Sequence, residues 1–312
     1  MRVAISGTAD NSTAVYVDFY NVHTDAGTSA LDYPARQANV NQVADYIATN
    51  SQGNAVVIYG DLNSLYSRKD TAVRALLSGE SAAGPGMKDV WVELKQGGVI
   101  PADKPECGTP AAGDCETLDK VFYRSSPLVT LQATTFHYDT PNFLQADGSI
   151  LSDHNSIYAD FAWSVSSSLQ QSDFFGGDYG AWFSDAQVLA NINKPPKAAT
   201  LTFRGAERLV SVGVTLTDGT VLRHGGTGGT EVSLTLADSE YWTEARLCKG
   251  EKSGKVRNFY IQAATSAGRI LTAGTATVDC AMFVAPDGWQ ITGFIGQAGD
   301  EVDQLAFVYT PK

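Results

Sequence analysis

Two histidines, three aspartates and an asparagine in the first half of the chain have the types and spacing for phosphoester chemistry. They fall in four short clusters: Asn21-Val22-His23, Gly60-Asp61-Leu62-Asn63, Asp119 at the start of DKVFYR, and Ser152-Asp153-His154. An imidazole moves a proton near neutral pH, a carboxylate orients water or meets a divalent cation, and an amide donates to a phosphoryl oxygen. Each cluster alone has an ordinary explanation. Gly-Asp after a strand is a common turn, an Asp before a His is a common cap, and a lone His is more often packed than catalytic. Their occurrence together, each beside a strand-like segment, is what singles them out.

The second half carries a different set. It opens with the Gly-rich stretch DFFGGDYGAWFSD (173–185) and closes with GFIGQAGDEVDQLAFVY (293–309). Glycine lets backbone N–H groups come close to a ligand, and the carboxylate of Asp303 can accept from two neighbouring hydroxyls. Backbone donors with one carboxylate suit the ring hydroxyls of a sugar. Trp182, Trp242 and Trp289 could stack on a sugar, but aromatic residues on strands are read first as core.

The elements that must hold these groups follow from periodicity. Residues 14–22 alternate as a strand, and 34–49 form a helix with Val40, Val43, Ala44 and Ile47 on one face. Residues 54–59 are an apolar strand running into Gly-Asp-Leu-Asn. A second helix is expected to be capped by Asp70, with Val73, Leu76 and Leu77 on its inner face. A short helix is expected over 88–95, and strands over 118–123, 128–138 and 156–163, the last with Ile157, Ala159, Phe161 and Trp163 on one side. Strands mixed with helices make 1–164 an α/β layer structure. The Ser-rich segment 165–172 reads as a linker. Beyond it, 173–312 is all-β, with about ten to twelve short strands separated by turns such as Asp218-Gly219 and Asp287-Gly288.

Composition narrows the function classes. The chain has 312 residues, 43% of them hydrophobic, and a formal net charge of −12. Residues 1–165 carry 10 basic and 19 acidic side chains, and 166–312 carry 12 and 15. A protein that holds nucleic acid by charge needs more Lys and Arg than this, although a bound cation lets an acidic segment act on phosphates. No apolar run is long enough to span a bilayer. Cys107 and Cys115, and Cys248 and Cys280, are expected to form one disulfide per half. That implies an oxidising, extracellular setting, although the first thirteen residues lack the features of a signal peptide.

The motifs NVHTDAG, YGDLNSLYSR, ETLDKVFYR and LSDHNS resemble the endonuclease/exonuclease/phosphatase superfamily, the fold of deoxyribonuclease I and bacterial sphingomyelinases, over about 14–163. The resemblance implies that His23 and His154 face the scissile phosphate and that Asp61 orients or deprotonates the attacking water. It further implies that Asn63 holds a phosphate oxygen, that Asp119 hydrogen-bonds His154, and that Asp153 approaches Mg²⁺ or another divalent cation. Asn155 stands where the family usually has proline, a change expected to affect turn stiffness. Only the second half of the two-part family domain is recognised. The first half normally supplies an Asn and a Glu for the metal, so this chain is expected to be a truncated and impaired hydrolase. An uncovered apolar sheet face, closed by a homo-oligomer or a second chain, is also expected.

The two ends of the all-β half together resemble the jacalin-related lectins, a β-prism of three four-stranded sheets. The resemblance implies that Asp303 holds the sugar, with the backbone of Asp300 and Glu301 beside it and the loop at Tyr179 and Gly180 opposite. The Gly-rich loop is internal, which favours mannose/glucose-type over galactose-type glycans, and Asp300 and Glu301 are expected to disfavour acidic sugars. The resulting expectation is a carbohydrate-binding protein joined to a metal-dependent nuclease-like or phosphodiesterase domain of unknown phosphoester substrate. The alternative is a pure lectin carrying an inert hydrolase remnant.

Overall fold

A computed structural model describes residues 1–7, 12–68, 72–78 and 85–312. The chain divides into two compact units, one of Met1–Val3 with Val17–Ser164 and one of Ala4–Tyr16 with Val165–Lys312.

In the first unit, the strand Ala14–His23 runs, from Val17 on, parallel to Ala55–Asp61, joined by the crossover helix Asp32–Asn50. That helix buries Arg36, Val40, Ala44 and Ile47, with Val43 only half-buried. A buried arginine on the inner stripe is tolerated because its guanidinium donates to the backbone carbonyls of Asp25 and Gly27, which ties down the loop after His23. The strand Asp119–Arg124 then adds antiparallel to Ala55–Asp61. The strands Val129–Tyr138 and Ile157–Val165 form a separate two-stranded sheet.

Two local expectations differ. Among the described residues, the region of the second helix holds a 3₁₀ turn, Ala72–Leu76, and Asp70 lies outside the described residues. Val73, Leu76 and Leu77 are buried as expected, but Leu77 bridges Met87 and the Ser78 N–H donates to the Met87 carbonyl, which pulls the backbone out of helical geometry. Around 88–95, Asp89 ends a two-residue strand and caps the helix Val90–Lys95 by accepting from the N–H groups of Trp91 (2.8 Å) and Val92 (3.3 Å). On the last strand, Ile157, Ala159 and Phe161 are half-buried, Phe161 edge-on to Tyr123, while Trp163 is exposed.

The second unit is all-β apart from the short helix Ala186–Ala190. Two four-stranded antiparallel sheets, 198–235 and 242–284, accompany a third built on Ala181–Ser184, Trp289–Ala298 and Val302–Pro311. The core centres on Trp242, fully buried and packed at 5.7–5.9 Å between ring centroids on Phe203, Phe294 and Phe307. Segment 165–172 behaves differently from a linker. Gln170–Gln171 is a strand paired to Val308 and Tyr309, and Ser172 exchanges two hydrogen bonds with Phe307 through its N–H and its hydroxyl. Its polar side chains therefore serve a buried backbone, a use that composition alone does not reveal. Disulfides join Cys107 to Cys115 and Cys248 to Cys280, the second directly across adjacent strands.

Candidate functional sites

In the first unit, the register places His23 opposite Asp61 and Asp61 opposite Asp119, so three strand ends present one transverse row of side chains. Asp61 reaches this place because Gly60 turns at φ +133°; a Cβ there would lie 2.1 Å from the Val22 carbonyl oxygen. His154 arrives from the turn before Ile157–Val165, its N–H donating to Ser152 Oγ. Its Nδ1 lies 2.7 Å from Asp119 Oδ2. That hydrogen bond raises the imidazole above its ordinary value against partial burial, with the charges of Asp119, Asp61 and Asp153 adding to it.

Asp61 is the centre. Its Oδ2 lies 3.6 Å from His23 Nε2 and 3.8 Å from His154 Nε2. Asn63, at φ +48°, gives its N–H to Asp61 Oδ1 and its side-chain amide to Asp61 Oδ2 and the Thr24 carbonyl. Both amide hydrogens are therefore engaged within the protein. In this arrangement Asn63 fixes the Asp61 carboxylate. His23 is the open member, with 70% of its side chain exposed.

Asp61, Asp119 and His154 converge closely enough to meet one cation. Within this group Asp119 Oδ2 and His154 Nδ1 already bond each other, and Asp61 is buried. This fits a hydrated divalent cation completed by water and phosphate oxygens, not an all-protein cage. Asp153 is exposed and stands outside the converging group; its backbone carbonyl accepts from Thr109 Oγ1.

Two residues here were not legible as part of the site. Thr24 is buried beside it and donates from its N–H to the Asp61 carbonyl and from its hydroxyl to the Leu62 carbonyl. Asn155 is 7% exposed; its Oδ1 accepts from the Ala111 N–H and Thr140 Oγ1, and its amide donates to the Gly108 carbonyl. Rather than altering turn stiffness alone, it fastens the disulfide-closed loop 107–115 beside His154. Thr24, adjacent to His23, had a positional signal; Asn155 had none beyond its departure from the expected proline.

In the second unit, Asp303 is almost fully buried against the loop at Gly176–Gly180. Gly180, at φ +72°, leaves room for its carboxylate, because a Cβ there would stand 2.7 Å from Asp303 Oδ2. Burial raises the Asp303 carboxyl above its ordinary value, with Arg257 opposing the rise. Asp303 Oδ1 and Arg257 Nε lack hydrogen-bond partners and form a loose ion pair at 3.5 Å. Tyr179 is half-buried under Lys255, whose Nζ is 5.0 Å from the ring centroid. Glu301 is not a bare charge. Its carboxylate meets Arg208 at 2.7 Å, Arg257 at 3.0 Å and Lys252 at 3.3 Å. Burial pushes this carboxyl up, but these cations outweigh burial and hold it below its ordinary value. Its charge is compensated within the protein; Asp300 is exposed.

Residues 2–100 match the sequence model of endonuclease/exonuclease/phosphatase family 2, and residues 172–308 match that of the jacalin-like lectin domain. The chain joins these two domains. Over 145 residues it is 39% identical to the sphingomyelinases of Mycobacterium bovis and Mycobacterium tuberculosis, a stretch covering 46% of this chain and 27% of theirs. Over 90 residues it is 33% identical to horcolin of Hordeum vulgare, covering 29% of this chain and 62% of horcolin. The chain thus spans about a quarter of the sphingomyelinases' length. Among solved structures, the mannose-binding jacalin-related lectin of Ananas comosus covers 46% of this chain and 99% of its own at 17% identity and a TM-score of 0.39. The mannose-specific lectin of Morus nigra covers 46% of this chain and 96% of its own at 16% identity and 0.40.

Proposed function

We propose that the first domain is a phosphodiesterase-type hydrolase and that the second binds glycans and so concentrates it on glycosylated surfaces. The hydrolase reading is carried by the His23–Asp61–Asp119 row with His154 bonded to Asp119. In this reading His23 and His154 donate to the phosphate, Asp61 orients the attacking water, and Asp119 holds His154 in its proton-donating form. Mg²⁺ or a similar cation, met by Asp61, would supply charge neutralisation on the phosphate.

A phospholipid head group is the substrate class we favour. Phe143, Leu144, Ile150 and Leu151 are all exposed on the segment leading to His154, and Phe143, Leu151 and His154 line one cavity of about 170 Å³. Apolar side chains held in water beside a polar site suit a substrate presented at a lipid surface. The sphingomyelinase relatives point the same way. The glycan reading rests on the lectin-domain match; the internal position of the Gly-rich loop favours mannose/glucose-type sugars. Two disulfides suit an extracellular protein.

The test is release of phosphocholine from sphingomyelin vesicles with and without Mg²⁺, beside calorimetry with methyl-mannoside. Hydrolysis lowered about 10²- to 10⁴-fold by Asp61→Asn supports the reading. Sugar binding with no hydrolysis would favour the lectin with an inert remnant.

A further inference from the structure

The first unit holds a buried ion pair that the hydrolase chemistry leaves unused. Lys120 and Glu116 have only 2% and 1% of their side chains exposed, and Lys120 Nζ lies 2.6 Å from Glu116 Oε1. The ammonium also donates to the Thr117 carbonyl at 3.1 Å and lies 4.6 Å and 5.5 Å from the ring centroids of Tyr66 and Trp91. Lys120 follows Asp119 directly on the strand Asp119–Arg124, so the two side chains leave opposite faces of the sheet. Asp119 joins the row of site residues, and Lys120 enters the interior.

The pair reaches both segments that carry the site. Towards Asp119, it curls 116–120 onto itself: the Lys120 ammonium holds the Thr117 carbonyl, and Thr117 Oγ1 donates to the Asp119 carbonyl at 2.9 Å. Towards Asp61 and Asn63, Glu116 Oε1 accepts the Tyr66 N–H at 2.8 Å and Oε2 accepts from Ser67 Oγ at 3.3 Å, both just past Asn63. The Leu62 N–H, donated to the Leu118 carbonyl, ties the same two segments a second time. As a source of stability such a pair is poor, because desolvating both charges offsets their attraction and an apolar pair of similar volume does as well. What it supplies is geometry: charged groups with fixed partners accept one arrangement, where apolar side chains slide. We propose that Glu116 and Lys120 are a positioning pair for the site, setting through Thr117 the place of Asp119 beside Asp61, and so the hold of Asp119 on His154. The inference rests on the hydrolase reading of the first domain and adds positioning residues to it.

The experiment is long-range proton–nitrogen NMR of the histidine rings in the full chain at one fixed pH, with thermal melts and the sphingomyelin assay beside it. Removing Lys120 alone would strand a buried carboxylate, so the main variant combines Glu116→Gln with Lys120→Met, a neutral pair of similar size. The proposal predicts a melting temperature near that of wild type, a His154 Nδ1 signal moved from its carboxylate-bonded position, and unchanged signals from His137 and His224. Hydrolysis should fall about 10- to 100-fold in kcat with KM within about twofold. Thr117→Val removes only the hydroxyl that links the ion pair to Asp119. It should move the His154 signal in the same direction, and it decides the matter if the double variant does not fold. A folded double variant whose His154 signal matches wild type overturns the proposal. So does an unmoved signal in Thr117→Val, or a shift shared by all the histidines, which marks a general loosening of the fold. Absence of hydrolysis by the wild type would remove the hydrolase reading, while the His154 signal would still decide whether the pair positions Asp119.

Discussion

Asp61 Oδ2 stands between two imidazoles, 3.6 Å from Nε2 of His23 and 3.8 Å from Nε2 of His154. The carboxylate is held there from behind by Asn63, and His154 is held from its far side by Asp119, so the strand ends present one oriented carboxylate and two imidazole rings together.

The Asp119 bond fixes the titration of His154. Because the imidazole is raised in the folded protein, the stabilisation from this pair is complete below about pH 6.5 and is lost as pH rises through the higher folded-state value. Asp119→Asn should lower the His154 midpoint in proton NMR. The melting-temperature gap between wild type and variant should narrow above neutrality; a gap that widens with pH would have the wrong sign.

Asn155 joins three partners across the loop 107–115 and Thr140. Asn155→Ala leaves these groups without their bonds, at a cost of about 1–3 kcal/mol for a buried polar group. Hydrogen exchange should speed at the Ala111 amide, and chemical denaturation should show the lower stability. Unchanged exchange would remove Asn155 from the architecture of this loop.

The exposed apolar segment predicts a split between substrates. Replacing Phe143 and Leu151 together with serine should weaken binding to sphingomyelin vesicles while leaving hydrolysis of a soluble phosphodiester close to wild type. Equal losses on both substrates would place these residues in the site's folding instead of at the lipid.

The burial of Asp303 weighs on stability. Its raised carboxyl means that folding favours the protonated form, so its contribution to stability falls as pH climbs from about 3.8 through the folded-state value. Asp303→Asn should be at least as stable as wild type at pH 7 and should lose sugar binding, read by thermal melts and calorimetry. A marked drop in stability would make Asp303 a structural residue.

The two architectures were legible because their signals are local: apolar periodicity, turn dipeptides, and polar clusters at strand ends. His23, Asp61, Asp119 and His154 come together because each sits at the end of a readable strand. What escaped depends on partners distant in sequence. Asn155 bonds residues 15 to 47 positions away, Arg36 is buried by carbonyls of a preceding loop, and Ser172 serves the final strand. Glu301 reads as a repulsive charge until Arg208, 93 positions earlier, is seen against it.

The most direct test is proton NMR of the imidazole Cε1–H signals as phosphocholine is added to the full chain in the presence of Mg²⁺. The chain has four histidines; His137, stacked on Tyr158, and His224, paired with Asp185, stand outside the site and serve as internal controls. The account predicts that His23 and His154 shift together along one saturation curve while His137 and His224 stay still. A titration in which His23 and His154 do not move, or in which all four move alike, would contradict a shared phosphate site on this row.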